Sequence, residues 1–231
     1  MLAWLFARAA GGRFLMRVED LDTGRVRPGV EERQLADLAA MGIDWDGPVV
    51  RQSGRLDMYV AALDRLDTYP CFCTRAEIRE AASAPHGPVG AYPGTCRELS
   101  AGERAEREAA GRPPALRVRA DGSVDDFVVR RGDGAFAYNL AVVVDDAAMG
   151  VDQVVRGADL ADSTPRQEWL ARTLGLPAPE YIHVPLVFGP DGARLAKRHG
   201  AVTLRELDAV EARAWLERSL GMPEPIVYHP N

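Results

Sequence analysis

Arg13-Phe14-Leu15-Met16-Arg17-Val18-Glu19-Asp20-Leu21-Asp22 is an apolar run that ends in three carboxylates. Residues 13–18 read as a strand, and acidic side chains at the carboxyl end of a strand lie where open α/β sheets bind ligands. A solvated turn with Asp22 or Thr23 as its turn residue is the plainer reading of the same cluster. The flanks decide the class. Before the run, Leu2, Leu5, Phe6 and Ala9 recur at helical spacing until Gly11-Gly12 stops them. After it, Pro28 and Glu31-Glu32 open a helix with Leu35, Leu38 and Met41 on one face, and another helix covers about 56–66. Alternating helices and strands predict an α/β fold with a parallel sheet and crossover helices.

The middle of the chain breaks this rhythm. From Tyr69 to about Arg131 the sequence gathers prolines, glycines and all three cysteines, with a charged helical stretch at 103–110 and short strands at 115–118 and 126–129. This composition predicts an insertion over 69–131, within a main domain formed by 1–68 and 132–231. The nearly continuous apolar run from Phe136 to Val144 reads as a strand buried on both faces. Val154-Val155 is a further short strand. A helix follows over 165–174, with Thr164 as N-cap and Pro165 at its first position. Tyr181 to Phe188 reads as a strand that leads into the loop Arg194-Leu-Ala-Lys-Arg198, and 203–220 reads as a helix.

Composition narrows the function. The chain has 231 residues and a net charge of −6, so no global basic field advertises a nucleic acid, although a local arginine patch can still track phosphates. Three cysteines make no disulfide framework; an odd count at close spacing points to metal binding in a reducing compartment. The apolar N-terminal run is interrupted by Arg8 and lacks a basic n-region, which argues against a signal peptide. No stretch approaches the ~20 apolar residues of a spanning helix. A cytoplasmic monomer without a membrane partner is expected.

Several constellations can carry chemistry. Cys71-x-Cys73 and Cys96 could meet at one tetrahedral ion if the chain folds back, and His86 is the fourth ligand that zinc chemistry would choose. Glu19 ends the opening run. Tyr138 stands at the start of the apolar run, where a core tyrosine with a bonded hydroxyl is the ordinary reading. Arg156, after the strand at 154–155, could hold a carboxylate bidentately or pair with Asp159 or Asp162. Arg117, Arg119, Arg130 and Arg131 could face RNA or merely edge a solvated strand. Among 27 arginines and one lysine, that lysine, Lys197, stands out because a compact ammonium suits contact with a phosphate.

Phe14-Leu-Met-Arg-Val-Glu-Asp-Leu-Asp22, Cys71-x-Cys73, Tyr92-x-x-x-Cys96, Phe136-Ala-Tyr-Asn-Leu-Ala-Val-Val-Val-Asp-Asp146, Val155-Arg-Gly-Ala-Asp-Leu160 and Arg194-Leu-Ala-Lys-Arg198 follow one another in that order. Together they resemble the class I glutamyl-tRNA synthetase family. The resemblance implies a Rossmann-like catalytic domain with a zinc-containing insertion, using ATP (with Mg) and glutamate. It implies that Glu19, Tyr138 and Arg156 contact glutamate. It further implies that Cys71, Cys73, Tyr92 and Cys96 hold zinc, with Tyr92 in place of His86. Lys197 matches the second lysine of the family's Lys-Met-Ser-Lys-Ser loop, which grips ATP phosphates during adenylate formation. Arg194 replaces the first lysine and Ala196 the serine.

The length suggests the short branch of the family, whose acceptor is the queuosine base of tRNA(Asp) instead of a tRNA 3′ end, because little chain follows the lysine loop. The alternatives are the catalytic half of a true glutamyl-tRNA synthetase and an inactive remnant. The family opens with a strand, a Ser-Pro-Thr-Gly turn and a His-Ile-Gly-His-like motif, whereas this sequence opens inside the following helix. A missing first strand and impaired activity of the chain as written are therefore expected.

Overall fold

The computed structural model describes residues 1–74, 76–78 and 92–186. In chain order its elements are α1 (Leu2–Ala9), β1 (Arg17–Val18), α2 (Val30–Ala40), β2 (Val50–Arg51), α3 (Leu56–Leu63), β3 (Thr68–Cys71), α4 (Ala101–Ala109), β4 (Ala115–Val118), β5 (Val128–Arg130), α5 (Tyr138–Met149), β6 (Gln153–Gly157), α6 (Thr164–Leu174) and β7 (Glu180–Val184). Two compact units emerge among the described residues, one from 1–51, 153–161 and 180–186, the other from 52–74, 76–78, 92–152 and 162–179. These borders differ from 68/69 and 131/132. None of the described helices is long and apolar enough to cross a membrane.

The first unit holds the parallel strands. β1 pairs with β2 in register Arg17↔Val50, and β6 pairs with β7 from Gln153↔Glu180 to Gly157↔Val184. Only Arg17 and Val18 of the opening run join a ladder. The residues before them are tied elsewhere: Asp46 accepts from the Phe14 N–H at 2.8 Å and from Arg8 at 2.7 Å, and its own N–H donates to the Phe14 carbonyl at 2.7 Å. A carboxylate thus pins the entry to β1 beneath the end of α1. α2 connects β1 to β2, as a parallel crossover requires.

The second unit is antiparallel where it is a sheet, in the order β3-β4-β5. Its largest correction to the sequence reading is α5. Residues 138–149 form a helix, not the strand expected over 136–144. Seven consecutive residues, Leu140 to Asp146, are buried, so the helix is covered on all sides and shows no polar stripe. A helix buried all round and a strand buried on both faces both read as continuous apolar sequence. The helix ends at Gly150, whose φ of 68° gives the left-handed C-cap that a β-carbon would disfavour. A smaller correction lies at α6: Ser163 occupies the N-cap without a side-chain bond, and Thr164 is the first helical residue.

Under α5 lies a buried carboxylate. Asp145 is fully buried and accepts from Gln52 Nε2 at 2.8 Å, Arg55 Nε at 2.6 Å and the Tyr59 hydroxyl at 2.9 Å. A buried charge is tolerated only when it is paired and hydrogen-bonded in this way. The cluster ties α5 to α3 and to the 3-10 turn at Gln52–Arg55.

Candidate metal centre and substrate-binding residues

The cysteines converge. β3 ends at Cys71, and its ladder runs out opposite Ala115 on β4. Tyr92-Pro-Gly-Thr-Cys96 then returns as a tight turn, closed by the Arg97 N–H donating to the Gly94 carbonyl at 2.8 Å. Gly94 has φ 81°, which glycine adopts without penalty. The three sulfurs lie within 4.8 Å of one another, and Cys73 Sγ is 3.5 Å from Cys96 Sγ. The Tyr92 oxygen stands 3.4 Å from Cys71 Sγ and 3.9 Å from Cys73 Sγ, and accepts from the Cys96 N–H at 2.8 Å.

These distances suit a shared ion. Bonds of about 2.3 Å from a tetrahedral zinc to sulfur place the sulfurs roughly 3.7 Å apart, close to the spacing found. Three soft sulfurs and one phenol oxygen are a donor set that fits zinc. Without a cation, burial pushes the Cys73 thiol up to about 12 and raises the Tyr92 phenol above its ordinary range. Burial would also raise Cys71, but the Tyr92 hydroxyl and the Arg117 guanidinium outweigh it and hold that thiol below its usual value. A coordinated cation favours the deprotonated form of every ligand. His86, the other candidate fourth ligand, lies outside the described residues.

Arg117 and Asp126 organise the surroundings, and sequence reasoning assigned neither. Arg117 is buried, with its Cζ 3.6 Å from the Tyr92 ring centroid. Asp126 is buried and accepts from the Tyr69 hydroxyl at 2.6 Å, Arg97 NH1 at 2.6 Å and the Ala120 N–H at 2.9 Å. Arg119 lies over the Tyr69 ring and donates to the Arg97 carbonyl at 3.0 Å. Arg117, read as a solvated edge or an RNA contact, is a core residue.

The residues expected to bind glutamate fall in both units. Glu19 is exposed in the first unit and pairs with Arg17 at 3.4 Å. Arg156 lies on β6 opposite His183 of β7 and donates through Nε to His183 Nε2 at 3.3 Å. Its Cζ stands 4.5 Å over the Tyr181 ring, which stacks on His183. Burial first, and then the Arg156 charge, lower the His183 pKa, favouring the neutral ring that can accept at Nε2. Gly157 sits close beside it: a β-carbon there would stand 2.5 Å from Asp159 Oδ1, so that carboxylate would have to shift.

Tyr138, in the second unit, begins α5 and is 41% exposed, so it is not the core tyrosine that a buried strand predicts. It lines a cavity of about 300 Å³ together with Tyr92, Arg117, Asp125, Asn139 and Arg166. Arg166 is held there by Asp125 at 2.6 Å, and Asp125 also accepts from the Tyr92 N–H at 3.1 Å. Lys197, with Arg194 and Ala196, lies outside the described residues.

Residues 1–217 match the family of class I tRNA synthetases (E and Q), catalytic domain. The chain is 65% identical over 225 residues to a glutamyl-Q tRNA(Asp) synthetase of Nocardia farcinica, covering 89% of this chain and 72% of that one. It is 51% identical to the glutamyl-Q tRNA(Asp) synthetase of Symbiobacterium thermophilum, covering 90% and 75%. The crystal structure of a glutamate–tRNA synthetase from Elizabethkingia anophelis superposes with a TM-score of 0.69 at 29% identity, over 86% of this chain and 48% of that one. The chain thus spans about half the length of that structural relative. With the family match over residues 1–217 and 51–65% identity to curated relatives, the chain belongs to the glutamyl-Q tRNA(Asp) synthetase branch of the class I glutamyl- and glutaminyl-tRNA synthetase family.

Proposed function

We propose that this protein activates glutamate with ATP and passes it to the queuosine base of tRNA(Asp). The 65% identity to a glutamyl-Q tRNA(Asp) synthetase over 89% of the chain carries this reading. In the first step a glutamate α-carboxylate oxygen attacks the α-phosphorus of ATP and pyrophosphate leaves. In the second, the glutamyl group moves from the adenylate to the base and AMP leaves. The protein's part is to position the reactants and to neutralise developing charge.

Glu19 accepts the substrate ammonium, Tyr138 donates a phenolic hydrogen bond and Arg156 holds a substrate carboxylate. Tyr181 and His183 restrict the Arg156 guanidinium before substrate arrives, which lowers the ordering cost of binding. Lys197 meets the ATP phosphates, which arrive with Mg. Cys71, Cys73, Tyr92 and Cys96 hold zinc, whose role is to cross-link the chain at the end of β3. Residues 69–131 form the inserted subdomain, and 1–68 with 132–231 the catalytic domain.

Glutamate-dependent ATP–pyrophosphate exchange tests the first step. Exchange should require glutamate, with glutamine and aspartate giving little. Arg156→Ala should raise the KM for glutamate, while Lys197→Ala should lower kcat with little change in that KM, because it acts on charge that develops in the transition state. Exchange that is indifferent to the amino acid supplied would overturn the proposal.

A further inference from the structure

Three thiolates and a phenolate around a divalent zinc leave the centre doubly negative, and it sits in a part of the second unit where Cys71, Tyr92 and Cys96 are all buried. Buried charge of one sign calls for a partner of the other. Among the described residues, Arg117 is a buried cationic side chain that adjoins the ligands. We propose that Arg117 is the counter-charge and positioning residue of the Cys71/Cys73/Tyr92/Cys96 metal centre. This inference rests on the zinc reading above.

Strand geometry puts Arg117 there. On β3 and β4 the register partners are Tyr69↔Arg117 and Cys71↔Ala115, so Tyr69, Cys71, Ala115 and Arg117 share one face of the sheet. Ala115 opposite Cys71 is small, which leaves the sulfur approachable from the Arg117 side. The ladder with β5 shifts register between Leu116 and Arg117, an irregularity of the kind that re-aims a side chain. The guanidinium ends 3.6 Å from the centroid of the Tyr92 ring. It therefore lies directly on one of the four ligands. Its NH1 donates to the Asp126 carbonyl at 2.6 Å, which fixes its orientation, and its buried Nε has no hydrogen-bond partner among the described residues. Arg117 is 6% exposed, so its charge is poorly screened by water.

Arg119, two residues on along the same face, provides the contrast. It lies over Tyr69 at 4.8 Å, not over a ligand, and its partners are Asp67, Glu98 and the Arg97 carbonyl. A cation there is spent on surface acids. Tyr92 and Arg117 also both line the cavity that Tyr138 borders, so the side chain that balances the metal centre forms part of that wall.

The test is zinc affinity in the full chain, measured by competition with a chelating dye, beginning with the stoichiometry of the unaltered protein. Arg117→Met keeps the volume and removes the charge. It should weaken zinc binding about 10- to 100-fold, the range found when groups behind metal ligands are removed. Arg117→Lys should recover most of that loss, and Arg119→Met should change affinity less than two-fold. Cobalt bound in place of zinc reports ligand geometry, and its absorption bands should shift in Arg117→Met but not in Arg119→Met. Because Arg117→Met also removes the bond to Asp126 and could impair folding, Arg117→Lys and Arg117→Gln provide a second comparison between charged and neutral side chains. Zinc affinity in Arg117→Met within two-fold of the unaltered protein would overturn the inference. Equal losses in the Lys and Gln variants would overturn it too, since charge would then not matter. Should the unaltered protein take up no zinc, the reading of the centre itself fails, and that outcome is recognised before any variant is made.

Discussion

Two of the polar centres buried in the second unit are built in opposite ways. At Asp145, three neighbouring side chains aim N–H and O–H groups at one carboxylate, so the charge is satisfied from within the fold. At the cysteines, three sulfurs and a phenol oxygen crowd together, and their mutual contacts are weak sulfur hydrogen bonds of 3.4–3.9 Å. Donors that converge on an acceptor make a closed structural knot. Electron-pair donors that converge on one another make a cluster that could hold a metal ion. The difference teaches that burial and polarity alone do not mark a functional centre; the sign of what faces what does.

The largest effect is expected where a ligand of the second kind is lost. Purified protein should carry close to one zinc per chain, and Cys96→Ser should leave little of it when metal content is measured by emission spectroscopy. Lowering the pH should release zinc from the unaltered protein, because protons compete for the thiolates. Tyr92→Phe and His86→Ala sharpen the assignment of the fourth ligand, which passes to His86 if only the histidine variant loses metal.

The closed knot should respond differently. Asp145→Ala leaves the Arg55 charge, the Gln52 amide and the Tyr59 hydroxyl facing a gap, and breaking a buried pair in this way costs about 3–5 kcal/mol. Urea unfolding should show that loss while zinc content per folded chain stays unchanged. A variant that loses zinc as readily as Cys96→Ser would mean that the two centres are not independent. Gln52→Ala removes one of the donors and should cost less, about 1–3 kcal/mol.

The smallest effect concerns a carboxylate outside both centres. In the first unit the Phe14 N–H, and after it Arg8, hold the Asp46 carboxyl below the usual carboxylate range. A depressed native pKa contributes stability that is present above the unfolded value of about 3.9 and is lost as pH falls through the lower native value. Acid unfolding followed by circular dichroism should therefore begin at slightly higher pH in Arg8→Ala. An onset shifted to lower pH would contradict the direction assigned.

How much of this was legible depended on whether the pattern was local. The convergence of Cys71, Cys73 and Cys96 was legible because a few residues of one chemistry carry the signal. The helix over 2–9 showed because its apolar positions repeat at helical spacing, and 115–118 was read as the strand it is. Phe136 to Val144 was misread because total burial erases the period on which such reading depends, and three consecutive valines favour a strand. Arg117 was illegible for a related reason. Nothing in Ala115-Leu116-Arg117-Val118 says which face is inside until Cys71 and Tyr69 are paired across from it. His183 likewise acquires meaning only as the register partner of Arg156.

The most direct measurement is transfer of labelled glutamate to purified tRNA(Asp) bearing queuosine, beside the same tRNA lacking the modified base and beside tRNA(Glu). The account predicts label on the queuosine-bearing tRNA(Asp) alone, dependent on ATP and abolished by Arg156→Ala at limiting glutamate. Label on tRNA(Glu), or equal label on tRNA(Asp) with and without queuosine, would contradict it.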